Sequence, residues 1–220
     1  MNAVSSEYFA TLTGIPSSHE PLASYTPPAV PAAAVPASAA EESGASSASE
    51  KKPRSWDCPE GVSFAEWMGT RIARYSTRSY DFNALKFQAD YDPRYKRAQM
   101  RYIGTGGTGV SADKNTIPAE HFTFSTMVIP AGGIGPSHLH VDVEEVFFVL
   151  RGKLMLILEK DGERFEAILN ERDIVSVPPG VYREERNIGQ EEALMCVILG
   201  SPKPVTPTYP PDHPLSRIKR

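Results

Sequence analysis

The sequence predicts an all-β fold, a sandwich or barrel, with a short N-terminal helix and a disordered N-terminal extension. Three observations lead there. From Tyr95 onward, short β-forming runs are separated by turn signals. Many of the 20 prolines fall in residues 16–53 and 202–214, which leaves one core between two tails. The run Glu145–Leu150 is apolar on both faces apart from Glu145 itself, as a strand enclosed in a barrel should be.

Taken in order, residues 1–15, with Tyr8, Phe9, Leu12 and Ile15, suit a short helix or docking peptide. The Ala/Pro/Ser-rich stretch 16–53 cannot bury enough apolar surface to offset chain entropy, so residues 1–53 form the extension. Order is expected from about Trp56, in a domain spanning 54–201. Ser63 and Glu66 fit a capping box, and Phe64, Trp67, Met68 and Ile72 recur at helical spacing, predicting a helix over 63–75 on the barrel exterior or in a subunit contact. The strands expected are 97–103, 121–129, 137–141, 145–151, 153–159, 165–169, 173–177, 183–187 and 193–199. Lys160-Asp161-Gly162 reads as a hairpin turn. The glycine-rich run Gly104–Gly109 lacks a following Lys-Ser/Thr and leads into strands, so it is a flexible loop and not a phosphate cradle. Residues 202–220 form a Pro-rich tail, lying on the barrel or reaching a neighbour.

Bulk properties exclude several classes. The net charge of −4 argues against a nucleic-acid surface. No apolar run approaches the ~20 residues needed to span a bilayer, and the N-terminus lacks a secretory pattern. The expected location is cytoplasmic. Cys58 and Cys196 make neither a disulfide framework nor a zinc-type spacing, and Cys196 sits in an apolar run as a core thiol.

Chemistry concentrates in Gly132–Gly152. On an extended strand His138 and His140 project to one side, and after a turn at Asp142 and Val143 the next strand starts with Glu145. Two imidazoles and a carboxylate on one hairpin suit Fe(II), Mn, Zn or Ni. The spacing Gly132, His138-x-His140, Glu145, Gly152 resembles the first motif of the cupin superfamily in full. The second motif is matched at Pro178, Gly180 and Asn187, but Arg172 stands for its opening glycine and Arg183 for the histidine that is the last metal ligand in many cupins. The resemblance covers roughly residues 95–200 and implies a jelly-roll β-barrel.

Arg183 has no lone pair to offer a metal, so three readings stay open. His138, His140 and Glu145 hold the ion alone while Arg183 clamps an anionic substrate. Alternatively Glu185 or His121 completes the site. Or Arg183 pairs with Glu145, the barrel is metal-free, and it binds anions. The resemblance implies, as first expectation, an Fe(II) dioxygenase acting on a small aromatic or keto-carboxylate compound, with Phe147, Val149 and Met155 lining the interior and Tyr182 beside Arg183 if the register shifts by one residue. A metal-free binding barrel and a metal-dependent isomerase or lyase are the other classes. A homodimer is expected from the long arms.

Overall fold

The computed structural model describes residues 57–108, 113 and 115–218. The expectations for residues 1–53, and for Trp56 as the start of order, lie outside the described residues.

Among the described residues, nine strands form two antiparallel sheets: β1 (Ala98–Ile103), β2 (Thr123–Ile129), β3 (Ile134–His138), β4 (Glu145–Arg151), β5 (Leu154–Lys160), β6 (Glu163–Leu169), β7 (Ile174–Val177), β8 (Tyr182–Asn187) and β9 (Ala193–Leu199). One sheet runs β1-β2-β9-β4-β7, the other β3-β8-β5-β6. This is a jelly-roll sandwich, and all nine expected strands are present with ends moved by a few residues. Alternation decides what faces inward. Met127, Met195, Val149 and Phe147 from the first sheet meet Leu154, Leu156 and Leu158 from the second, and the buried core lies between them.

The helix is shorter than the periodicity predicts. α1 covers Phe64–Gly69 and carries the capping box, but it ends at Thr70 and buries no residue. Phe64 is 70% exposed. Without a packed face, nothing extends the helix through Ile72. A second helix, α2 (Lys86–Tyr91), went unforeseen; it contributes buried Gln88. Arg101 on β1 is buried and bonded to Asp81 and Asp113, both at 2.8 Å. Arg151 is exposed and pairs with Glu192.

Backbone geometry explains the motif positions. Gly152 has φ 91°, and a Cβ there would lie 3.0 Å from Ala193 Cα. The hairpin between β5 and β6 turns through Asp161 and Gly162 with positive φ at both, as a two-residue primed turn requires. Arg172, in place of the family glycine, is an exposed residue held at φ 70°. An L-residue in that region is disfavoured by about 1–2 kcal/mol, partly offset by glycine's greater unfolded-state freedom. Arg172→Gly is therefore expected to stabilise the fold by up to about 1 kcal/mol, seen as a higher thermal midpoint; a lower midpoint would mean the side chain matters more than its backbone.

The C-terminal segment lies on the barrel. Leu139 and Thr208 exchange two backbone hydrogen bonds, of 2.8 and 2.9 Å, and Tyr209 and Leu215 are buried.

Candidate metal centre

His138 ends β3, His140 follows it, and Glu145 opens β4. Between them the chain turns through Val141 and Asp142, both exposed. The three side chains are buried, and one donor atom from each lies within 4.8 Å of the others. His140 Nε2 is 4.0 Å from Glu145 Oε2.

The imidazoles are prepared as neutral donors. His138 Nδ1 is 2.7 Å from the Pro136 carbonyl and His140 Nδ1 is 3.1 Å from the Val205 carbonyl. A carbonyl oxygen only accepts, so each Nδ1 carries the proton and each Nε2 keeps its lone pair. Burial, reinforced by Arg183, holds His138 well below the usual histidine range. Burial also lowers His140, with Glu145 opposing. A backbone carbonyl behind each ring is the outer support that metal-binding histidines commonly have.

Glu145 is engaged from the other side. Arg183, on β8 opposite His138, donates from Nη2 to Glu145 Oε2, and its Nη1 is 3.5 Å from the His138 carbonyl. At 1% exposure Arg183 is sealed behind the carboxylate and does not line the cavity. Arg183 as a substrate clamp is thereby corrected: its guanidinium serves Glu145. The donor set still fits a divalent ion, since a carboxylate has about four lone-pair sites and one oxygen remains. The buried cation nevertheless competes with a metal for that charge.

The other expected residues divide. The narrow cavity in front of the site is lined by Phe147, but not by Val149, Met155 or Tyr182. Val149 is core below the cavity. Met155 pairs with Arg186 and Tyr182 with Glu159, placing both on the outer face, because Leu154, Leu156 and Leu158 hold the inward positions of β5. His121 is exposed ahead of β2 and is not part of the donor group. Glu185 does line the cavity, yet it also stands outside that group.

Glu185 faces Arg97 instead, with 3.6 Å between Oε2 and Nη1. Arg97 also donates to Gln88 Oε1 at 2.6 Å, and Gln88 donates to the Tyr209 hydroxyl at 2.6 Å. Arg97, Gln88, Gln99 and Pro207 line the cavity, and none was foreseen. The glycine-rich loop also closes on the site, for a Cβ on Gly107 would lie 2.7 Å from His140 Cε1. Only the coincidence of Arg97 and Gln99 two apart at the start of a strand hinted at an inward polar pair.

Burial pushes the Glu185 carboxyl up to about 8, with Arg97 opposing. The unfolded chain releases that proton near 4.5, so between these values the folded state binds more protons. Glu185's contribution to stability therefore falls as pH rises from about 4.5 to about 8. Glu185→Gln should gain thermal midpoint relative to wild type across that interval; an offset independent of pH would contradict this assignment.

The sequence profile of the family described as "Cupin domain" matches residues 125–199. That stretch contains the donor hairpin and the core of both sheets. Residues 125–199 thus carry a cupin domain. Among curated proteins, the chain is 31% identical over 81 residues to Germin-like protein 1-2 of Oryza sativa subsp. japonica, covering 36% of each chain. It is 27% identical over 137 residues to Germin-like protein subfamily 1 member 7 of Arabidopsis thaliana, covering 53% of this chain and 59% of that one. The chain thus spans between about a third and three-fifths of these relatives. An oxalate oxidase structure aligns with a TM-score of 0.46 at 18% identity, covering 70% of this chain and 66% of the other. Peruvianin-I from Thevetia peruviana latex aligns at 0.48 and 15%, covering 67% and 80%. No helix among the described residues is long and apolar enough to cross a membrane.

Proposed function

We propose that this cupin holds one divalent metal ion on His138, His140 and Glu145, and acts as a metal-dependent enzyme on a small anionic compound. An Fe(II) oxygenase acting on an aromatic or keto-carboxylate substrate is the specific form put forward, with Mn, Zn or Ni as other occupants. The observation that carries the proposal is the pair of Nδ1–H···O=C bonds, which leaves both buried rings as neutral lone-pair donors near one carboxylate. When bound, the ion would supply a Lewis-acidic centre with open positions.

The chain's own residues do the rest. Phe147, Met127, Met195 and Leu199 give the cavity an apolar wall that limits water, while His138 and His140 stay unprotonated through burial. Arg183 pairs with Glu145 in a place where an unpaired carboxylate would be costly.

A second reading rests on that same ion pair. If the guanidinium holds the carboxylate more tightly than a metal can, the barrel is a metal-free anion-binding module. Metal analysis of protein purified without chelators or an added metal-binding tag separates the two. The enzyme reading expects close to one equivalent, lost in His140→Ala, with O₂ consumption on hydroxy- or keto-acids. Turnover without O₂ would move it to an isomerase or lyase. A metal-free wild type alongside a metal-loaded Arg183→His variant would establish the binding module instead.

A further inference from the structure

We infer that Arg97 and Gln99 are the ligand-recognising residues of the cavity, and that the ligand is a small hydroxy-carboxylate. This rests on the proposed function only in taking the cavity as the substrate's place, and it does not require the metal.

Several buried polar atoms have no hydrogen-bond partner among the described residues. Arg97 is 4% exposed and lines the cavity. Nη2 is taken by Gln88 and Nη1 lies near Glu185, but Nε has no hydrogen-bond acceptor. Gln99, two residues on, donates from Nε2 to Ser125 Oγ at 2.9 Å, while its Oε1 is unpaired. Glu185 is 1% exposed, and both of its oxygens lack a hydrogen-bond donor. Burying such groups unsatisfied costs about 1–3 kcal/mol each, so a cavity lined by several of them is built to be filled by polar atoms.

Which polar atoms follows from the set. Arg97 offers a charged N–H and calls for an acceptor oxygen, best a carboxylate. Gln99 Oε1 offers an acceptor and calls for a hydroxyl donor. A carboxylate beside a hydroxyl satisfies both in a few atoms, as the narrow cavity requires. Charge agrees with this. Arg97 and Arg183 formally balance Glu145 and Glu185, so a bound divalent ion would leave the site positive, and an anionic ligand would reduce that excess. Arg183 cannot do this work, because it does not reach the cavity.

The experiment measures binding calorimetrically with lactate, propionate and lactamide as probes, on chelator-stripped and on metal-loaded protein. Lactate should bind at least about tenfold more tightly than either analogue, since propionate leaves Gln99 unpaired and lactamide lacks the charge. Arg97→Lys keeps a cation against Glu185 but loses the planar fork, and should weaken lactate about tenfold or more. Gln99→Leu should bring lactate and propionate together without weakening propionate. Thermal melts of both variants confirm that they are folded before binding is compared. Lactate and lactamide binding equally, no saturable lactate binding, or an unchanged lactate-to-propionate ratio in Gln99→Leu would each overturn the inference. Discrimination in a protein that never takes up metal would leave it standing while the enzyme reading fell. Metal uptake without discrimination would do the reverse.

Discussion

Arg183→Met should be the most damaging single substitution at the site, costing about 3–5 kcal/mol, because it leaves the Glu145 carboxylate buried with no cation. Both groups are nearly inaccessible to water, so solvent cannot take over the missing charge. The double variant Arg183→Met with Glu145→Met removes the charge pair altogether and should regain most of the loss, as replacement of buried ion pairs by apolar groups often does. Urea unfolding of wild type, both singles and the double closes the cycle. A double variant as unstable as Arg183→Met would show that the arginine contributes through packing and not through the carboxylate. The same variant carries a functional reading. With the guanidinium gone, a divalent ion meets no competing hydrogen-bonded cation on Glu145, so added metal should stabilise Arg183→Met more than wild type. At one hundred times the dissociation constant the gain is about 2.7 kcal/mol.

Truncation after Pro204 should have the second largest effect, on stability and on the site together. It removes the Val205 carbonyl that orients His140, the paired hydrogen bonds between Leu139 and Thr208, and the buried Tyr209 and Leu215. Loss of one fully buried leucine alone costs about 2–5 kcal/mol when the space does not refill. Loss of an outer-shell partner to a metal-binding histidine typically lowers metal affinity about 10–100-fold. Denaturant unfolding and metal titration of the truncated chain check both. A truncated protein with wild-type stability and metal uptake would show that the segment merely rests on the surface. Leu215→Ala separates the two contributions, because it should lower stability while leaving the Val205 carbonyl on His140.

Much of the fold was legible because strand signals are local. Alternation, apolar runs and turn residues identified all nine strands, and the motif glycines marked backbone positions with positive φ, Gly152 among them. The helix over 63–75 was overextended because periodicity reports a potential apolar face and not a partner for it; α1 has the periodicity but buries nothing. At the site, His138, His140 and Glu145 could be placed together because their convergence needs only one hairpin. Met155 and Tyr182 were misplaced by a matter of parity. One residue along a strand reverses the face, and the register is set by pairing with β8 and β5, not by either strand alone.

The amino-acid sequence by itself determined the β-sandwich, the donor hairpin and the presence of an arginine where a fourth ligand would stand, since each is encoded within a few adjacent residues. Only the tertiary structure decided what that arginine does, and which residues furnish the rest of the cavity. Arg183 and Glu145 are 38 positions apart in the chain, Val205 and His140 are 65 apart, and Gln88 and Tyr209 are 121 apart. Contacts over such separations leave no periodicity to read; they exist because two sheets close over a core and bring their inward faces together.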